Sequence, residues 1–159
     1  MTDHRRADVH IATFGLLAGW GRYPIVIAQT LRQRGIRVVC VGVKDHADPQ
    51  LQADCDEYVE LGMGKLGAAS RFFRRHLVKN ATMAGKIHKT VLFQSNFLLK
   101  HFPDWKAIRT FSPHFLSQSK DRKDDTLLLA LPPFFERSRI HFAPPTDLLP
   151  AFPLQHGLL

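Results

Sequence analysis

The chain has 159 residues, 45% of them hydrophobic and 23% charged, and a net charge of +8. A chain of this size and composition buries a core without staples, which excludes a disordered or disulfide-knotted protein. No apolar run approaches the roughly 20 residues of a membrane span, and the polar start Met1-Thr2-Asp3-His4-Arg5-Arg6 has no secretory apolar segment behind it.

Residues 1–8 read as a polar tail. Val9–Ala18 is apolar throughout and reads as a buried parallel strand. The turn Gly19-Trp20-Gly21-Arg22-Tyr23-Pro24 follows, with Pro24 suited to a first helical turn. Ile25, Ile27, Ala28 and Leu31 then form a helical face that ends near Gly35. Ile36–Val43 is a second strand, rich in β-branched residues. Lys44–Ala53 is expected to be a polar loop, and Asp56–Leu61 a short strand. Leu66, Ala69, Phe73 and Leu77 mark a second helix, and Thr82–Lys86 a fourth strand ending in a glycine turn. Strand–helix–strand order with short connections predicts a doubly wound, mostly parallel α/β sheet. Beyond Lys86 the pattern loosens: helices are expected over Phe102–Phe111 and Asp124–Phe135, a strand over Arg139–Phe142, and a loop over Ala143–Asp147. Six of the ten prolines lie in the last 28 residues, as at a domain edge or linker.

Charge is uneven. Residues 61–123 carry 13 Lys and Arg against Asp104 and Asp121 alone. A basic middle suits an anionic partner such as a nucleotide diphosphate, an acidic membrane surface or nucleic acid, or it is simply a solvated face. Cys40, in an apolar run, and Cys55, in an acidic stretch, lack metal-ligand spacing and read as reduced thiols. The nine histidines show no zinc spacing, and no serine sits in a G-x-S-x-G elbow.

Ligands of open parallel sheets gather outside the carboxyl ends of the strands. The expected strands bring four features there: the Gly19–Pro24 turn, Lys44, the Gly85-Lys86 turn and the Thr146-Asp147 loop. Gly19 and Gly21 would let backbone amides approach a phosphate at a helix N-terminus, and Arg22 and Lys86 would add charged donors. Pro24 replaces the third glycine of the dinucleotide fingerprint, and Lys44 stands where an acid would hold a ribose, so NAD is disfavoured. Asp124-Asp125 serves either as a helix cap with a first-turn acid or as a carboxylate pair holding a ligand hydroxyl or Mg²⁺. Phe72-Phe73-Arg74-Arg75 and Phe97-Leu98-Leu99-Lys100 mix aromatics with base, but helical spacing favours a core role and disfavours nucleic acid.

The ordered set Gly15–Pro24, Val43-Lys44, Ala47-Asp48-Pro49, Gly64-Lys65-Leu66, Met83–Lys86, Lys123-Asp124-Asp125 and Ala143–Asp147 resembles the amino-terminal half of the LpxI-type UDP-2,3-diacylglucosamine pyrophosphatases. The likeness runs in register from about Phe14 to Leu159. It implies a Rossmann-like, three-layered domain over residues 9–147, followed at 148–159 by the start of a linker to a second domain. It further implies Mg²⁺-dependent hydrolysis of UDP-2,3-diacylglucosamine to lipid X and UMP in lipid A synthesis, at the cytoplasmic face of the inner membrane with peripheral membrane contact. The family's catalytic acid belongs to the second domain, so no catalytic or metal-binding residue is carried over. Substrate and phosphate binding is expected at Gly19, Gly21, Arg22, Lys44, Lys86, Asp124, Asp125 and Thr146. Lys123 departs from the glycine common before the aspartate pair. The second domain, in cis or in trans, is expected to supply catalysis; the alternatives are a non-enzymatic nucleotide-binding or interaction module.

Overall fold

The computed structural model describes residues 12–86 and 125–148. Its strands are β1 (Thr13–Ala18), β2 (Arg37–Val43), β3 (Glu57–Leu61), β4 (Asn80–Ala84) and β5 (His141–Phe142). Between them run α1 (Tyr23–Gln33), α2 (Leu51–Asp54), α3 (Leu66–Arg75) and α4 (Asp125–Glu136), and α5 (Pro145–Leu148) follows β5. The five strands form one sheet in the order β3-β2-β1-β4-β5, parallel throughout.

Alternate residues of each strand serve opposite faces, and the two cores follow that alternation. Phe14, Leu16, Ala18, Val38 and Cys40 face Ile25, Ile27, Ala28 and Leu31 of α1 and Leu51 of α2. Leu17, Val39, Val41 and Val43 belong to the other core, with Ala69 and Phe73 of α3 and Phe134 and Phe135 of α4. Helices therefore cover both faces, and the fold is a Rossmann-like, doubly wound α/β sheet in three layers.

Three helices return to the sheet through the same device. Ile36 N–H donates to Leu31 C=O and Gly35 N–H to Arg32 C=O, closing α1 with Gly35 at φ 72°. Val78 and Leu77 repeat the pair of bonds to Phe73 and Arg74, and Ile140 and Arg139 repeat it to Phe135 and Glu136. Leu77 and Arg139 both sit at φ 60°, the left-handed position normally given to glycine. The apolar pairs Leu31/Ile36, Phe73/Val78 and Phe135/Ile140 are all buried, and they anchor each turn.

Several expectations change. The loop expected over 44–53 gives way to α2 from Leu51, and Cys55 is a buried free thiol of the core, as is Cys40. The fourth strand runs two residues earlier than expected, leaving Gly85 and Lys86 beyond its end. The loop over 143–147 contains α5. The tail at 1–8, the helix at Phe102–Phe111, the Phe97–Lys100 stretch and residues 149–159 lie outside the described residues.

Candidate functional site

After β1, β2 and β3 build outward in one direction, the chain returns to place β4 on the other side of β1. The switch point therefore lies between the carboxyl ends of β1 and β4, where ligands of such sheets bind.

Here the carboxyl ends of β1 and β4 lock together. Gly19 N–H donates to Ala84 C=O at 2.8 Å, and Trp20 and Lys86 exchange two backbone hydrogen bonds, each 2.8 Å. A Cβ on Gly19 would lie 2.7 Å from the Lys86 carbonyl oxygen, and one on Gly85 2.8 Å from the Trp20 oxygen. Glycine at both positions is what permits the crossing. This corrects the expected role of Gly19, whose buried amide is committed to β4 and so cannot reach a phosphate.

One residue on, Gly21 takes φ 111° and aims the chain into α1. The cap residue Arg22 makes no side-chain capping bond, Pro24 occupies the first turn, and no acid stands there. The amides of Arg22, Tyr23 and Ile25 find no acceptor among the described residues. Unpaired amides at the positive end of a helix dipole favour an anion.

Arg22 and Tyr23 border a cavity of about 620 Å³, lined among the described residues by 20–23, 83–86, 131–132 and 142–145. The turn after β1 and the start of α1, the end of β4 with residues 85–86, α4, and β5 with the segment after it supply this lining. Thr82, fully buried, holds that segment by donating its hydroxyl to the Ala143 carbonyl at 2.8 Å. Among the described residues of the lining, Arg22 and Lys86 are the exposed cations and none is acidic.

Of the residues expected at the site, Gly21, Arg22 and Lys86 meet at the cavity. Lys44 does not line it: at the end of β2 its amide bonds Leu61 C=O and its carbonyl lies 3.0 Å from His46 Nδ1. Thr146 is exposed on α5, its hydroxyl 3.2 Å from Asp147 Oδ1 rather than in the lining. Asp125 opens α4, with its side chain outside the described residues, as is the whole of Asp124. Among the described residues no group of three or more His, Cys, Asp or Glu could hold a metal. The cavity itself presents cations, so its described residues do not fit Mg²⁺.

Sequence reading missed the apolar walls. Trp20 and Tyr23 stand 52% and 47% exposed, while Leu131 and Phe142, also in the lining, are buried. Phe73 packs on Phe135 at 5.9 Å, and Phe72 meets the His76 ring edge-on at 4.7 Å, so this aromatic pair belongs to the core side of the molecule.

An open parallel sheet with helices on both faces and a cavity at its switch point defines a Rossmann-like α/β domain. The model of the LpxI N-terminal domain family matches residues 13–152, and the chain belongs to that family, which serves lipid A biosynthesis. Comparison with the curated proteins gives no match.

Proposed function

We propose that this chain is the substrate-binding half of a UDP-2,3-diacylglucosamine pyrophosphatase, gripping the diphosphate while a second domain supplies the catalytic acid and Mg²⁺. One observation carries the reading: the open amides of Arg22 and Tyr23 and the two cations Arg22 and Lys86 border one cavity with no acid among its described lining residues. Such a set binds and orients an anion, and it offers no group to activate water. The reaction, attack of water on the diphosphate to release lipid X and UMP, would then need machinery from outside this set. Membrane contact and a cytoplasmic site of action belong to the same proposal.

A helix-dipole contact contributes roughly 0.3–1 kcal/mol, so charged hydrogen bonds of about 1.5–3 kcal/mol each must supply most of the affinity. Calorimetric titration of UDP-2,3-diacylglucosamine tests this. Arg22→Ala and Lys86→Ala should each weaken binding about ten- to a hundredfold. An Arg22→Ala protein that binds like its parent overturns the assignment. Equal binding of UMP and of the lipid-linked nucleotide, with no turnover in the presence of the second domain, would favour a nucleotide-binding module instead.

A further inference from the structure

We infer that α4 is hinged beside the cavity: residues 125–130 swing about the junction at 131–133 and close on bound ligand, while the last turn of the helix stays fixed to the core. Only the closure on ligand rests on the phosphate reading above; the hinge itself does not. The break in the helix follows from covalent structure. In an α-helix each amide donates to the carbonyl four residues back. Pro132 and Pro133 lie inside α4 and carry no amide, so the carbonyls of Leu128 and Leu129 lose those donors. Leu128 can still accept from the Leu131 amide in a tighter 3₁₀ bond, but the residue three beyond Leu129 is Pro132. Leu129 therefore has no donor of either helical kind. The two rings also crowd the carbonyls one turn back, which opens a helix on that side.

Beyond the break the helix is pinned. Phe134 and Phe135 are buried, and their rings meet edge-on at 5.3 Å. Phe135 also stacks on Phe142 of β5 at 4.7 Å and packs on Phe73 of α3 at 5.9 Å. Its carbonyl accepts from the amides of Ser138 at 2.9 Å and Ile140 at 3.1 Å, and the Glu136 carbonyl accepts from Arg139 at 2.8 Å. The backbone of α4 packs on β5, the strand that its last turn leads into. A helix held at one end, with its bonding interrupted one turn earlier, bends at the interruption. The pivot itself borders the cavity through Leu131 and Pro132, so a swing of the half before it opens and narrows that edge of the site. Moving elements over ligand sites are drawn from the least firmly bonded parts of a fold, and two successive prolines supply such a part here.

Amide hydrogen exchange read by NMR on the full chain tests the hinge. The amides of residues 129–131 have helical acceptors, yet in the free protein they should exchange about tenfold or more faster than those of 134–136. Pro133 is exposed and lies outside the described lining. Pro133→Ala returns a donor to the Leu129 carbonyl and should slow exchange at 129–131 about threefold. Pro132→Ala/Pro133→Ala should slow it about tenfold, with 134–136 changed less than about twofold. Melting curves check folding, and Pro133→Ala alone decides if the double variant does not fold. UMP, at a concentration that calorimetry shows to be saturating, should slow residues 129–131 about threefold in the parent and less in the double variant, whose helix is already held. Equal exchange of the two groups in the parent, or a proline-free helix that exchanges like the parent's, overturns the hinge. Protection by UMP that is spread evenly over both groups, or absent despite calorimetric binding, overturns the closure and leaves the phosphate reading standing. No calorimetric binding of UMP or of inorganic phosphate overturns the phosphate reading and the closure with it, while exchange in the free proteins still decides the hinge.

Discussion

Replacing Gly19 by alanine should loosen the crossing of β1 and β4, whatever it does to ligand. The new Cβ would sit 2.7 Å from the Lys86 oxygen, 3.2 Å from the Lys86 carbonyl carbon and 3.3 Å from that of Gly85. All three are backbone atoms, so no flexible side chain can give way. Moving residues 85–86 back to ordinary contact requires about 0.7 Å, taken from three hydrogen bonds that are now 2.8 Å long. At roughly 0.5–1.5 kcal/mol each, their loss amounts to about 1.5–4.5 kcal/mol. For a chain of this length that lowers Tm by about 5–15 °C. Urea unfolding gives the free energy, and amide exchange at Trp20 and Lys86 reports the bridge directly. Gly21→Ala is the comparison: nothing lies within 4 Å of its new Cβ, and the cost is backbone strain at φ 111°, about 1–3 kcal/mol, beside the open amides. Gly19→Ala within about 0.5 kcal/mol of the parent, with the Trp20 amide still protected, would refute the reasoning.

Leu77→Gly and Arg139→Gly should each raise the urea midpoint, because both exposed residues hold φ 60°; the gain is about 0.5–1 kcal/mol, and a loss would show that these side chains make contacts that matter. Phe135 is fully buried and stacks on Phe142 at 4.7 Å and 11°. Phe135→Ala should therefore cost about 3–5 kcal/mol in chemical denaturation, and a smaller cost would mean that α4 packs loosely. Burial pushes the Tyr58 phenol from 10 up to about 12, with Cys40, Glu60, Cys55 and Asp48 adding to the rise. The unfolded chain then ionises first, so stability present below pH 10 is lost as pH climbs toward 12. Alkaline urea titrations should show that loss in the parent and a weaker one in Tyr58→Phe; identical curves would remove the assignment.

The sheet was legible because parallel strands buried on both faces leave unbroken apolar runs, as in residues 38–43. Boundaries were harder where turn chemistry departs from glycine. Gly35 announced the end of α1, whereas Leu77 and Arg139 perform the same role without it. Another signal was present: a buried apolar residue, four residues, then another, as in Phe73/Val78 and Phe135/Ile140. α2 escaped notice because four residues with one buried side chain, Leu51, carry no periodicity. The walls of the cavity escaped for a related reason. Met83, Leu131 and Phe142 belong to different elements, and each reads locally as core.

The turn between β1 and α1 shows how two glycines that read alike in sequence receive different work from the fold. Two glycines near a strand end suggest amides free to meet a phosphate, and either glycine alone is compatible with that picture. The fold divides their work. Gly19 serves the crossing, because the parallel return of β4 beside β1 brings Lys86 against it, a proximity separated by 67 positions in sequence (86 − 19). Beyond that crossing Gly21 turns the chain into α1, and the amides of Arg22 and Tyr23, without an acceptor among the described residues, lie at the cavity's edge. The donors that matter thus lie beyond the motif's first glycine, and their direction is fixed by a bridge that no local pattern encodes. Loss of the bridge should consequently weaken anion binding even when Arg22 and Lys86 are intact, so Gly19→Ala and Arg22→Ala should prove non-additive in affinity.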